Sequence, residues 1–310
     1  MRLRLVPDDT RIPFMRGRIM GLVVSAILSF ASVVLFFYPG MNYGIDFKGG
    51  ILIEVRTPEP ANFAEMRAAI AGAGVGEAAL QQFGSPTEVL VRMEAQESEG
   101  AQQRAVAAVR AALEQAMPGA RILRTEAVGG RVSAELFTAG MTALGMSLLA
   151  ILLYIWFRFE WQFGIGAVVT LILDVTKAIG FLAVTRIEFD LATVAALLTI
   201  IGYSVNDKVV VYDRMRENLR KYKTMPLRQL IDLSINETLS RTIGTSATTF
   251  LAVLPLALLA TGAVAGFAWT MLFGIVVGTS SSIFIAAPIL LFLGENKLRR
   301  GTEAPAAAAG

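Results

Sequence analysis

Asp207 lies in the stretch IGYSVNDKVVVYDRMREN (residues 201–218), with Asn206 before it and Lys208 after it, inside a run otherwise apolar enough to cross a membrane. Residues 191–212 supply about 22 positions, roughly the length that spans a bilayer core. Asp207 is then about 10 Å below the face where basic residues begin at Arg214, at about 1.5 Å per residue. A carboxylate at that depth is costly unless it is paired, hydrated or protonated, so it points to ion chemistry. The competing reading is a helix end that sits shallower, with Asp207 among lipid headgroups.

Three further groups bear on that chemistry. Arg241 opens the next span from the same side, and its long stem lets the guanidinium reach inward. Glu237, four residues earlier, offers a second partner. An Asp that alternates between a protonated, unpaired state and an ionised, Arg-paired state is a proton switch, because desolvation disfavours its charge and a cation favours it. Lys208, adjacent in sequence, can instead hold Asp207 ionised. Asp174 falls near the centre of another span with Lys177 on the same helix face, either as part of a proton path or as a pair that neutralises itself. Thr245 and Ser246 open the fifth span, and Gly274-x-x-x-Gly278 followed by Thr279, Ser280, Ser281 and Ser282 runs through the sixth. The glycine spacing predicts close helix packing, and the hydroxyls can bond water beside the acidic helix. Pro255 and Pro288 predict kinks.

The elements that must hold these residues follow from composition. Of 310 residues, 55% are hydrophobic and 17% charged, which fits a polytopic membrane protein carrying a soluble part. The net charge is +3, but Lys and Arg fall in clusters between apolar runs, which argues for membrane orientation and against nucleic acid as a partner. The absence of Cys excludes disulfides and thiolate metal sites. The absence of His excludes imidazole relays and Ser-His or Cys-His nucleophiles. No enzyme, metal site or cofactor is expected; carboxylates remain for proton chemistry.

Residues 1–18, with Arg2, Arg4, Arg11, Arg16 and Arg18, precede an apolar run at 19–38 that reads as an uncleaved first span with its N-terminus inside. Residues 42–135 read as a small α+β domain outside the cytoplasm. Ile51, Ile53 and Val55 alternate as a strand, as do Val89, Val91 and Met93, and further strands are expected near 79–83 and 120–125. Phe63, Met66 and Ile70 have helical spacing, as do Val106, Val109, Leu113 and Ala116. The order is β-α-β-β-α-β, the split-βαβ pattern. Asp46 and Lys48 sit in the turn GIDFKGG, whose glycines serve backbone geometry rather than a phosphate cradle.

Five more spans are expected at 137–157, 163–185, 191–212, 241–261 and 267–293, with a cytoplasmic loop at 214–240 and a low-complexity cytoplasmic tail within 294–310. With six spans, Arg158, the cluster Arg214, Arg216, Arg220, Lys221, Lys223 and Arg228, and the group Lys297, Arg299 and Arg300 all lie on the side of the N-terminus.

Four motifs carry a resemblance: NYGIDFKGG after the first span, IGYSVNDxVVVYDRMREN in the fourth, NETLSRTIGTSATTF entering the fifth, and FGIVVGTSSSIF in the sixth. Over about residues 15–298 the chain resembles the SecF subunits of the bacterial SecD–SecF accessory translocase family, within the proton-driven RND superfamily. The resemblance implies an RND-type half bundle of six transmembrane helices, a ferredoxin-like periplasmic domain, and an inner-membrane location. It implies a SecD partner, cooperation with the SecYEG translocon and with accessory subunits such as YajC, and use of the proton motive force to promote late steps in the export of a translocating polypeptide. It also implies that Asp207 and Arg241 match the family's proton-pathway residues. The chain departs from the family pattern at Lys208, where a small hydroxyl residue is usual, and at Leu173, where a His often stands. The expected reading is therefore a lipid-embedded, proton-coupled export subunit. Its rivals are a proton-coupled exporter of small molecules or lipids and a passive scaffold.

Overall fold

Alternating apolar residues make β1 (Gly50–Arg56) and β3 (Ser85–Met93) two-faced strands, and the sheet places Ile53 opposite Val91 and Val55 opposite Val89. The computed structural model describes residues 10–293 apart from 77, 84 and 97; Arg2, Arg4, Lys297, Arg299, Arg300 and the tail from Gly301 lie outside the described residues. With β2 (Ala78–Phe83) and β4 (Arg121–Val128) the strands form one sheet of order β2-β3-β1-β4, with all neighbours antiparallel. The helices α3 (Phe63–Gly72) and α4 (Glu99–Ala116) cover one face. Met66, Ile70, Val109 and Leu113 pack there against Ile51, Ile53, Val55, Val89 and Val91. Burial of each such side chain stabilises by about 1.5–3 kcal/mol relative to exposure. Asn62 caps α3 by accepting from the Ala64 amide at 3.2 Å, and Ser98 caps α4 by accepting from the Ala101 amide at 3.2 Å. The element order read from the periodicity is the one observed.

Glycines at the start of β1 are there for the backbone. Gly49 has φ +73 and Gly50 φ +133, and a Cβ on Gly50 would stand 2.5 Å from the Met93 carbonyl oxygen. Just before them lies a single turn, α2 (Ile45–Lys48). Gly44 N–H donates to the Phe189 carbonyl at 2.9 Å, and Asp46 Oδ2 accepts from the Leu191 amide at 2.9 Å. Phe189–Leu191 thus belongs with Tyr43–Thr142 in one compact unit; the other holds Ala143–Glu188 and the described parts of Met1–Asn42 and Ala192–Gly310.

Among the described residues, six helical segments are long and apolar enough to cross a membrane: Phe14–Gly40, Gly130–Arg158, Trp161–Thr185, Leu191–Lys221, Leu227–Leu259 and Gly262–Leu293. Their principal helices are α1 (Arg18–Leu35), α5 (Gly130–Arg158), α6 (Trp161–Thr185), α7 (Leu191–Lys221), α8 (Leu227–Leu259), α9 (Gly262–Ser281) and α10 (Ala287–Leu293). The last two are joined by a π-helical turn at Ser282–Ala286. Pro288 has no N–H to bond the residue 284 carbonyl, which accounts for the irregular turn there. Tyr212 on α7 donates its hydroxyl to the Ala286 carbonyl in that turn at 3.2 Å. Pro255 stays inside α8.

Two stretches differ from the sequence expectation. Residues 214–240, expected as a cytoplasmic loop, are largely helical: α7 runs on to Lys221 and α8 starts at Leu227, which leaves 222–226 as the connection. Leu227, Leu230, Ile231 and Ile235 bury a helical face, and Asp232 Oδ1 accepts from the Met15 amide at 2.8 Å, so tertiary packing outweighs the charged composition. Likewise α5 begins at Gly130 rather than near 137, its first turns being mostly exposed apart from Ser133 and carrying an Arg131–Glu135 pair at 3.3 Å.

Candidate functional site

On α7, residues 203, 204, 207 and 208 fall in two i,i+4 pairs, Tyr203 with Asp207 and Ser204 with Lys208, on adjacent helix faces. Each pair builds a different cluster.

The first cluster centres on Asp174 of α6, which is 1% exposed. Its Oδ2 accepts from the Ser204 hydroxyl at 2.7 Å, the Ser281 hydroxyl at 2.7 Å and Lys208 Nζ at 2.9 Å. Lys177 Nζ stands 3.6 Å from the other oxygen, Oδ1, which accepts no hydrogen bond. One carboxylate therefore serves two buried ammonium groups. Close approach of α9 to α7 makes this possible. A Cβ on Gly278 would sit 3.3 Å from the Ser204 Cβ, and a Cβ on Gly274 would overlap the Ile200 side chain. The Gly-x-x-x-Gly spacing is thus a packing device, as its sequence suggests.

The second cluster lies toward α8 and α9. Tyr203 donates to Ser246 Oγ at 2.9 Å, and Ser246 Oγ lies 2.7 Å from Thr279 Oγ1, so hydroxyls from three helices are joined. Asp207, on the same α7 face as Tyr203, is 2% exposed, and its Oδ2 is buried without a hydrogen-bond partner. Lys208 and Arg241 both act on it electrostatically, but neither forms an ion pair with it among the described residues.

Several sequence expectations change in detail. Lys208 turns to Asp174 on the next helix rather than to its neighbour Asp207, since adjacent helical residues point about 100° apart. Arg241 is exposed and not paired with Asp207. Glu237 pairs with Arg214 at 2.8 Å and accepts from Asn218 at 2.7 Å, not from Arg241. Thr245 bonds back to the carbonyls of its own helix, at Arg241 and Thr242, each at 3.0 Å, whereas Ser246 bridges helices. Asn206 is exposed. Lys177 does contact Asp174, as its spacing predicts. Tyr203 and Ser204 were not singled out from the sequence; their i,i+4 relation to Asp207 and Lys208 was the available signal. Among the described residues no three His, Cys, Asp or Glu side chains gather in a metal-binding group.

Residues 108–296 match the family described as protein export membrane protein SecD/SecF, C-terminal, and residues 34–57 match the SecD/SecF GG motif. Protein translocase subunit SecF of Rickettsia akari (strain Hartford) is 44% identical over 296 residues, covering 95% of this chain and 96% of that protein. The SecF of Rhodobacter capsulatus is 42% identical over 306 residues, covering 94% and 92%. The crystal structure of SecDF from Thermus thermophilus, described as a translocon-associated membrane protein, matches with a TM-score of 0.84 and 34% identity over 93% of this chain. The chain spans only 39% of that SecDF chain. The relatives are named as translocase subunits, a transport component rather than an enzyme. With the family match covering more than half of the residues, and similarity to SecF proteins running almost end to end, the chain belongs to the SecD/SecF family of protein export membrane proteins, as a SecF-type translocase subunit.

Proposed function

We propose that this chain pairs with a SecD-type subunit in a bacterial inner membrane and uses the proton motive force to promote late steps of polypeptide export through SecYEG. The observation that carries the ion coupling is Asp207: a buried carboxylate whose Oδ2 lacks a hydrogen-bond partner, beside hydroxyls contributed by α7, α8 and α9. Such a group is stable in the membrane as the protonated acid, and as the anion only when a cation or water reaches it. Arg241 is the cation of choice, because its exposed side chain has room to swing inward. Asp207 and Arg241 are the proton-coupling residues in this reading, with the Tyr203–Ser246–Thr279 hydroxyls as the relay. Asp174 with Lys177 and Lys208 acts as a fixed-charge hub that keeps α6, α7 and α9 in register.

In the same reading residues 42–135 form a ferredoxin-like periplasmic domain, which the antiparallel β2-β3-β1-β4 order supports. Both termini and the segment 214–240 are cytoplasmic. An accessory subunit such as YajC joins the complex. Proton movement through the bundle is coupled to motion of the outer domain on the translocating chain. The test is release of an exported protein from membrane vesicles containing the complex, with and without a protonophore. Release that slows on collapse of the gradient only when the complex is present supports coupling. Identical rates with and without the gradient leave a passive scaffold.

A further inference from the structure

Four oxygens surround the buried ammonium of Lys208: Asp174 Oδ2 at 2.9 Å, the Ser204 carbonyl oxygen at 3.2 Å, Ser281 Oγ at 3.2 Å, and Ser204 Oγ. An ammonium has three N–H donors, so the oxygens outnumber the hydrogens. Ser204 gives its hydroxyl proton to Asp174 Oδ2 at 2.7 Å, and Ser281 directs its own to Asp174 Oδ2 at 2.7 Å or to the Gly278 carbonyl at 3.0 Å, so both keep lone pairs for Nζ. A carboxylate, two hydroxyls and a backbone carbonyl, all presenting oxygen lone pairs to one point, form the coordination shell of a hard cation rather than a set of one-to-one hydrogen bonds. Asp174, Ser204, Lys208 and Ser281 are each no more than 1% exposed, so the shell is closed. A single carboxylate, already shared with Lys177 at 3.6 Å, leaves nothing to balance a divalent ion, so the shell suits a monovalent one.

We propose that this is a monovalent-cation site whose cation is covalently tethered, the Lys208 ammonium taking the place of a dehydrated sodium or lithium ion. Lys208 is then an ion-selectivity residue. With its own cation attached, the site is neither filled nor emptied from the surrounding solution, which leaves Asp207 as the exchangeable carboxylate; that last step rests on the coupling proposed above, while the site itself does not. Shortening the side chain in Lys208→Ala removes the charge and opens the shell to a free ion. Lys208→Met removes the charge but keeps the stem in place.

The experiment uses the full chain purified with its co-extracted partner, and measures 22Na+ binding and thermal unfolding in sodium, lithium or choline chloride. The wild type should bind no 22Na+ through this site and unfold at one temperature in all three salts. Lys208→Ala should gain saturable 22Na+ binding and unfold a few degrees higher in sodium or lithium than in choline. Lys208→Met and the double variant Asp174→Asn/Lys208→Ala should show neither. Lys208→Ala without saturable sodium binding overturns the proposal, as does its failure to assemble whatever cation is supplied, because a site that accepts sodium replaces the missing charge. Sodium binding to the wild type that disappears in Asp174→Asn overturns it equally. None of these readouts involves export, so their failure leaves the translocation reading standing.

Discussion

Asp46 Oδ2 accepts the backbone N–H of Leu191 at 2.9 Å, so the turn after the first apolar span holds the first residue of α7, the helix that carries Ser204, Asp207 and Lys208. The first N–H groups of a helix have no partner within it, and a carboxylate there also meets the positive end of the helix dipole. Asp46→Ala should cost about 1 kcal/mol locally. Hydrogen exchange at the Leu191 amide should accelerate while the β1–β3 amides stay protected, and export should slow with assembly retained. Unchanged exchange at Leu191 would contradict the link.

Asp174 and Asp207 should separate in a stability assay. Replacing Asp174 by Asn leaves Lys177 and Lys208 buried around a neutral amide, and breaking a buried charge cluster in this way costs about 3–5 kcal/mol. Asp207→Asn strands no ion-pair partner and should leave the unfolding temperature near that of the wild type. Thermal unfolding of the purified complex, followed by tryptophan fluorescence, distinguishes the two. Equal destabilisation would remove the special status of the Asp174 hub.

Topology gives an independent check. The Lys and Arg distribution predicts Ser98 outside and Lys221 inside. A periplasm-dependent reporter fused at Ser98 should be active, and the same reporter at Lys221 inactive. An active reporter at Lys221 would overturn the six-span orientation.

The sequence made some of this legible for physical reasons. Strand alternation at Ile51, Ile53 and Val55, and the spacing of Met66 and Ile70, report burial on one face, and burial is local to each element. Gly274 and Gly278 likewise announce a close helix contact, though not which helix they meet; Ile200 and Ser204 supply that answer. The partner of Lys208 was not legible. Asp207 adjoins it along the chain, yet the helix turns the two side chains apart and gives Lys208 to a residue 34 positions earlier. The helical character of 214–240 was missed because its charges masked the apolar spacing of Leu227, Leu230, Ile231 and Ile235, a signal present in the sequence. The hydroxyl chain of Tyr203, Ser246 and Thr279 joins three helices and has no sequence period of its own.

The central claim is that Asp207 couples the proton gradient to export by changing its protonation. The most direct measurement is gradient-dependent release of an exported protein from vesicles that hold equal, fully assembled amounts of wild type and Asp207→Asn. The amide keeps the shape and polarity of the side chain but cannot ionise, so the account predicts that the gradient-dependent part of release is lost while gradient-independent translocation continues. Release by Asp207→Asn at the wild-type rate under the same gradient would contradict it.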